Sequence, residues 1–180
     1  CLVELAEYDE GIVLPHERTL RGPKVDRLEL MKATECNLSQ VFLLYDDPNS
    51  EVDTLLASGI KEPDLDVTTP DGIRHRLYSL SDDGMVQRIE AFFGRQSLLI
   101  ADGHHRYETA LAYRDFRREV AEEPKDGAPY EYVMAFLVNM HDPGLAVFPT
   151  HRVVHSVPGF DAEAMLSKMR ESGLFEIQEL

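Results

Sequence analysis

The residues best equipped for chemistry sit in the stretch LLIADGHHRYETA, Leu98 to Ala110. An apolar run there passes directly into Asp102, Gly103, His104, His105 and Arg106, and then into a helical pattern. A strand that feeds a glycine turn and then a helix points the N–H groups of the helix start outward, and the macrodipole adds about half a positive charge at that end. Together these make an anion site suited to phosphate. Gly103 lets the backbone approach the phosphate closely or take a positive φ. Arg106 can clamp phosphate oxygens with two parallel hydrogen bonds, and His104 and His105 can donate hydrogen bonds or move protons near neutral pH. Asp102 is the odd member, because an acid repels phosphate unless a metal stands between them or the acid handles a proton. Asp102 as ligand of a Mg2+ ion that also holds the phosphate is the economical expectation. The plainer alternative is that Asp102 caps the helix, Gly103 makes the turn and the histidines are surface residues.

Two further segments carry suitable side chains. In Pro15-His16-Glu17-Arg18-Thr19, Glu17 can take a proton from a substrate hydroxyl as general base. Thr150, His151 and Arg152 follow an apolar run, in the kind of loop that commonly carries function. Both segments also read as solvated turns. Phosphoryl transfer needs positioning and charge neutralisation, which Arg106, Arg152, the histidines and a magnesium ion would supply. Two competing readings use the same residues. One is a metal-dependent phosphohydrolase with Asp102, His104 and His105 around a transition metal, although adjacent histidines share one tetrahedral ion poorly. The other is a nucleotide-binding module without turnover. Cys36 has no assignable base beside it and reads as no nucleophile.

Charge narrows the partners. With 18 Lys and Arg against 33 Asp and Glu the net charge is -15, which argues against nucleic acid and anionic membranes as partners. Any anion is therefore to be held by a local site. The two cysteines, Cys1 and Cys36, form neither a metal knuckle nor a disulfide framework, which fits a reducing cytoplasm. The apolar runs are too short to span a bilayer, and no secretory start is present. Residues 1–180 are expected to be a single domain, and the opening on Cys1 in mid-pattern suggests an internal piece of a longer protein.

The elements that must position these groups follow from periodicity. Residues 2–8 and Ile12 to Leu14 read as two strands of a hairpin. Lys24 to Thr34 is a helix with Val25, Leu28 and Met31 on one face, and Val41 to Tyr45 a buried strand. Val52, Leu55 and Leu56 mark a helix ending at Gly59. Leu65 to Thr68 and Arg74 to Tyr78 pair around Asp71-Gly72. Ser81 or Asp82 caps a helix containing Val86, Ile89, Phe92 and Phe93. Ser97 to Ile100 is a strand, His105 to Val120 a helix with Ala110, Leu111, Ala112 and Tyr113 on its apolar positions, Tyr132 to Asn139 a buried strand, and Phe160 to Gly173 a helix. Strands and helices mix without regular alternation, which predicts an α+β fold with a mixed sheet and flanking helices.

DGHHRYETALAYR, together with PHERT, the run Pro23, Lys24, Asp26, Arg27 and Leu28, and FPTHRVV, resembles the bacterial and archaeal family DUF1015 over essentially the whole chain. DGHHR followed by an aromatic residue also resembles the phosphate-binding motif of the ParB/sulfiredoxin-like superfamily, in particular its ADP-dependent free serine kinases. That resemblance implies a ParB/sulfiredoxin-like nucleotide-binding core and a kinase that transfers phosphate from ADP or ATP, with Mg2+, to free serine or a similar metabolite. It implies Glu17, Asp102 and His104 as catalytic residues, Gly103, His105 and Arg106 as phosphate and nucleotide ligands, Thr150, His151 and Arg152 as substrate ligands, and Asp102 as metal ligand. Thr150-His151-Arg152 differs from those kinases in residue order, and the helix after DGHHR reads YETA.

Overall fold

Apolar runs become strands where alternate residues can be buried on one side, and here most of those partners are distant in sequence. The computed structural model describes residues 1–19, 21–120, 127–148, 153 and 155–177, with the backbone alone at 21–23. The chain divides into two compact units, Cys1–Leu145 and Ala146–Leu180. The first contains β1 (Leu2–Glu4), β2 (Val13–Leu14), α1 (Arg21–Thr34), β3 (Val41–Tyr45), α2 (Glu51–Gly59), β4 (Leu65–Thr68) and β5 (Arg74–Leu77). It continues with α3 (Asp83–Phe93), β6 (Leu98–Asp102), α4 (His104–Val120) and β7 (Tyr132–Asn139).

A five-stranded sheet runs in the order β1-β7-β3-β6-β2. The β3–β7 and β2–β6 pairs are parallel, and β1–β7 and β3–β6 are antiparallel. This mixed sheet with flanking helices agrees with the α+β reading. The expected hairpin between the first two strands does not form. Val3, partly buried, pairs with Val133 and the fully buried Val13 with Leu98, each covered by a strand that arrives much later in the chain. A short 3-10 turn at Tyr8–Glu10 and Gly11 with φ of 71° carry the chain between the two edges.

One face of the sheet holds the core. Val13, Val41, Leu43 and Ile100 are fully buried there, each contributing about 1.5–3 kcal/mol relative to exposure. α4 lays Tyr107, Ala110 and Leu111 into the same core. Ala112, read from sequence as apolar-facing, is exposed, while Arg114 is buried. The Arg114 guanidinium is satisfied by the Leu5 carbonyl and by the carboxylates of Glu7 and Asp115. Val52 of α2 and Phe92 of α3 close the other end, with the Tyr45 and Phe93 rings edge-on at 4.9 Å. Asp82 caps α3 by accepting the Met85 N–H at 2.8 Å. β4 and β5 pair around Asp71-Gly72 as their sequence predicts, and both are exposed.

The second unit contains α5 (Ala162–Ser172), capped by Asp161, which accepts the Ala164 N–H, and ended by Gly173 at φ 64°. Among the described residues no helix is long and apolar enough to cross a membrane.

Candidate functional site

The site lies at the edge of the sheet where the parallel strands β2 and β6 both end. The loop 15–19, with His16, Glu17 and Thr19, leaves β2, and the DGHHR stretch leaves β6 beside it. β6 runs two residues beyond its expected end, through Asp102. Leu43 faces Ile100 but Phe42 faces Asp102, so the register slips at Ala101 just before the chain turns into α4. Such irregularities re-aim a strand where function needs it.

Gly103 makes the turn at φ 99°, and its carbonyl accepts the Tyr107 N–H to start α4. A Cβ at this position would lie 2.9 Å from Arg106 Nε, so the absence of a side chain lets the guanidinium fold back over the turn. Arg106 Nη2 donates to Asp102 Oδ2 at 2.5 Å, and Nη1 donates to the Gln40 carbonyl. The Asp102 carboxylate is nonetheless largely exposed. Tyr107 anchors the first turn of α4: its hydroxyl accepts the Ala6 N–H at 3.0 Å and donates to the Ala6 carbonyl at 2.8 Å.

His104 is turned inward and is 1% exposed. Its Nε2 accepts the backbone N–H of His16 at 3.1 Å, so in the neutral ring the proton resides on Nδ1. Nδ1 faces Glu17 Oε1 at 3.2 Å, close but without hydrogen-bond alignment. Burial pushes the imidazole below its ordinary value of 6.5, the nearby Glu17 opposing that shift. The ring therefore fixes a neighbour and does not reach outward toward a phosphate. His16 stands edge-on to it at 4.5 Å. His105 is half-buried on the same turn.

A second contact joins the same loop to α4. Thr19 Oγ1 donates to Glu108 Oε2 at 2.5 Å, and Lys24 Nζ, from the first turns of α1, donates to the same oxygen. Burial pushes the Glu108 carboxyl up, but the Lys24 and Thr19 hydrogen bonds outweigh it and hold the group below its ordinary 4.5.

PHERT, the run containing Lys24 and the whole of DGHHRYE thus meet in one place, as the shared motifs of a family would. The chain belongs to the DUF1015 family. The family model, described as a protein of unknown function, matches residues 1–179. No curated protein and no solved structure matches the chain.

Of the residues singled out from sequence in this family member, Glu17, Asp102, Gly103, His104, His105 and Arg106 come together. Thr150, His151 and Arg152 lie outside the described residues. Lys24 and Glu108 were missed as site residues. The signal for Glu108 was its spacing, since it sits one helical turn after His104 on the same face. Among the described residues no group of three or more His, Cys, Asp or Glu is placed to hold a metal ion. A cleft of about 120 Å³, lined by Arg27, Met31, Cys36, Asn37 and Ser39, opens beside Arg106. Ligand pockets usually measure roughly 300–1,000 Å³, so this cleft is small for enclosing a ligand.

Proposed function

We propose that this chain is a nucleotide-dependent kinase of a small hydroxyl-bearing metabolite, with a serine-like acceptor and a ParB/sulfiredoxin-like core. One observation carries the reading: two sequence-distant segments place the Glu17 carboxylate beside the first turn of α4, at 3.2 Å from His104 Nδ1. A general base next to an anion-binding helix start is the pairing that phosphoryl transfer to a hydroxyl requires.

In this reading Glu17 takes the proton from the acceptor hydroxyl. The hydroxyl oxygen forms its bond to the terminal phosphorus of ADP or ATP as the bond from that phosphorus to the nucleotide's bridging oxygen breaks. The helix start at Gly103 to Arg106 neutralises the charge on the transferring group, through outward N–H groups and the Arg106 guanidinium. Gly103, lacking a Cβ, lets the Arg106 guanidinium lie over the turn, where it would meet a phosphate held at the helix start. The exposed Asp102 carboxylate, bonded to Arg106 through Oδ2, suits a Mg2+ ion that takes its other ligands from phosphates and water. When bound, that ion would supply further neutralisation of phosphate charge. With a net charge of -15, anion capture needs a local feature of this kind.

Calorimetric titration of ADP and ATP, each with and without Mg2+, into the wild type, Arg106→Ala and Glu17→Gln tests the reading. Binding by the wild type is expected, with loss in Arg106→Ala. Glu17→Gln is expected to keep binding while losing transfer to L-serine or a related acceptor. A well-folded wild type that binds neither nucleotide overturns the proposal. Binding without consumption across hydroxyl acceptors replaces it with the non-catalytic module.

A further inference from the structure

We propose that Glu108 is a positioning residue for Glu17: together with His104, one helical turn away on α4, it grips both sides of the loop that carries the carboxylate. The proposal rests on the reading of Glu17 as general base.

The loop 15–19 has two attachments to α4. On the near side the His16 N–H donates to His104 Nε2 at 3.1 Å, and the His16 ring Nε2 lies 3.4 Å from the Ala101 carbonyl. On the far side Thr19 Oγ1 donates to Glu108 Oε2 at 2.5 Å. Glu17 lies between these two points, about half exposed, with no other attachment among the described residues than its approach to His104. A half-exposed carboxylate on a short loop keeps one orientation only when the backbone on both sides is held. Residues at i and i+4 of a helix are fixed relative to one another by the helix itself, so the two grips form a rigid pair.

Lys24 completes the far grip. Its ammonium shares Oε2 with Thr19, which ties the start of α1 to the same carboxylate and leaves Glu108 charged. Glu108 is mostly buried, so it does not reach toward a ligand at the open strand ends. Its partners are the loop and α1, which is the behaviour of a group that acts through another.

The test compares Glu108→Ala and Glu108→Gln with the wild type by two readouts. Amide hydrogen exchange of residues 16–19 is read without substrate. Losing a hydrogen bond to a charged group is expected to speed exchange there by about tenfold or more in Glu108→Ala, and the Gln side chain, which still accepts from Thr19, is expected to restore most of the protection. Transfer kinetics give the second readout: kcat falls on the order of 10²-fold in Glu108→Ala, as misplacement of a catalytic group does, while nucleotide Kd stays unchanged and Glu108→Gln recovers much of the rate. Unchanged exchange at residues 16–19 in folded Glu108→Ala overturns the positioning role whatever the activity. Loss of nucleotide binding in step with kcat also overturns it, since that marks general damage to the site. Wild type that binds nucleotide but transfers nothing overturns the kinase reading and with it the catalytic part of this proposal, and the exchange data separate that failure from the first.

Discussion

Replacing Tyr107 by Phe removes one oxygen atom and leaves the ring in place. That oxygen satisfies two buried groups at once, accepting the Ala6 N–H at 3.0 Å and donating to the Ala6 carbonyl at 2.8 Å. Tyr107 is fully buried, so water does not readily replace it. A buried backbone group that loses its partner costs about 1–3 kcal/mol, and two such groups sum to about 2–6 kcal/mol. Native domains hold only about 5–15 kcal/mol in total, so the loss is a large fraction. With a urea slope of about 2 kcal/mol/M, the midpoint is expected to fall by about 1–3 M at unchanged slope. Tyr8 supplies the control. Its ring stacks on Tyr107 at 5.7 Å, yet its buried hydroxyl has no hydrogen-bond partner among the described residues. Tyr8→Phe is therefore expected to change stability by less than about 0.5 kcal/mol, or to raise it. Urea unfolding of the two variants decides the matter. Equal midpoints in Tyr107→Phe and Tyr8→Phe would refute the view that the Ala6 bridge pins the first turn of α4.

Two other outcomes follow from the same site. Gly103→Ala puts a Cβ at φ 99° and 2.9 Å from Arg106 Nε, so a cost of about 1–3 kcal/mol is expected, with displacement of the guanidinium from the Gln40 carbonyl; urea unfolding and a crystal structure of the variant check both. The Glu108 carboxyl titrates below its ordinary 4.5 when folded, so the unfolded chain binds its proton more readily. Its contribution is therefore present above about pH 4.5 and lost as pH falls through the folded value; a stability profile against pH is expected to flatten in that acid window in Glu108→Gln, and identical acid limbs would contradict it.

Much of the local structure is determined by sequence alone, because it depends on neighbours along the chain. The runs Val41–Tyr45 and Tyr132–Asn139 alternate and become strands with those bounds, and Asp71-Gly72 makes its hairpin without distant help. Asp82 and Asp161 cap helices by bonds to residues three positions on. The strand-turn-helix geometry of DGHHR was likewise legible, since a glycine between an apolar run and a helical pattern marks the turn.

Tertiary structure decided which partners those elements found. Nothing in Leu2–Glu4 or Val13–Leu14 specifies β7 and β6 over one another, because period-two alternation names a buried face and not a neighbour. The same holds within the site. Two adjacent histidines look equivalent in sequence, yet a helix separates consecutive side chains by about 100°, so His104 enters the core beside His16 and Glu17 while His105 stays half-buried. Lys24, Thr19 and Glu108 form one cluster only because α1 packs along α4. Residue type and spacing determined that a glycine turn joins a strand to a helix start; the convergence of strand ends determined which carboxylate stands next to it.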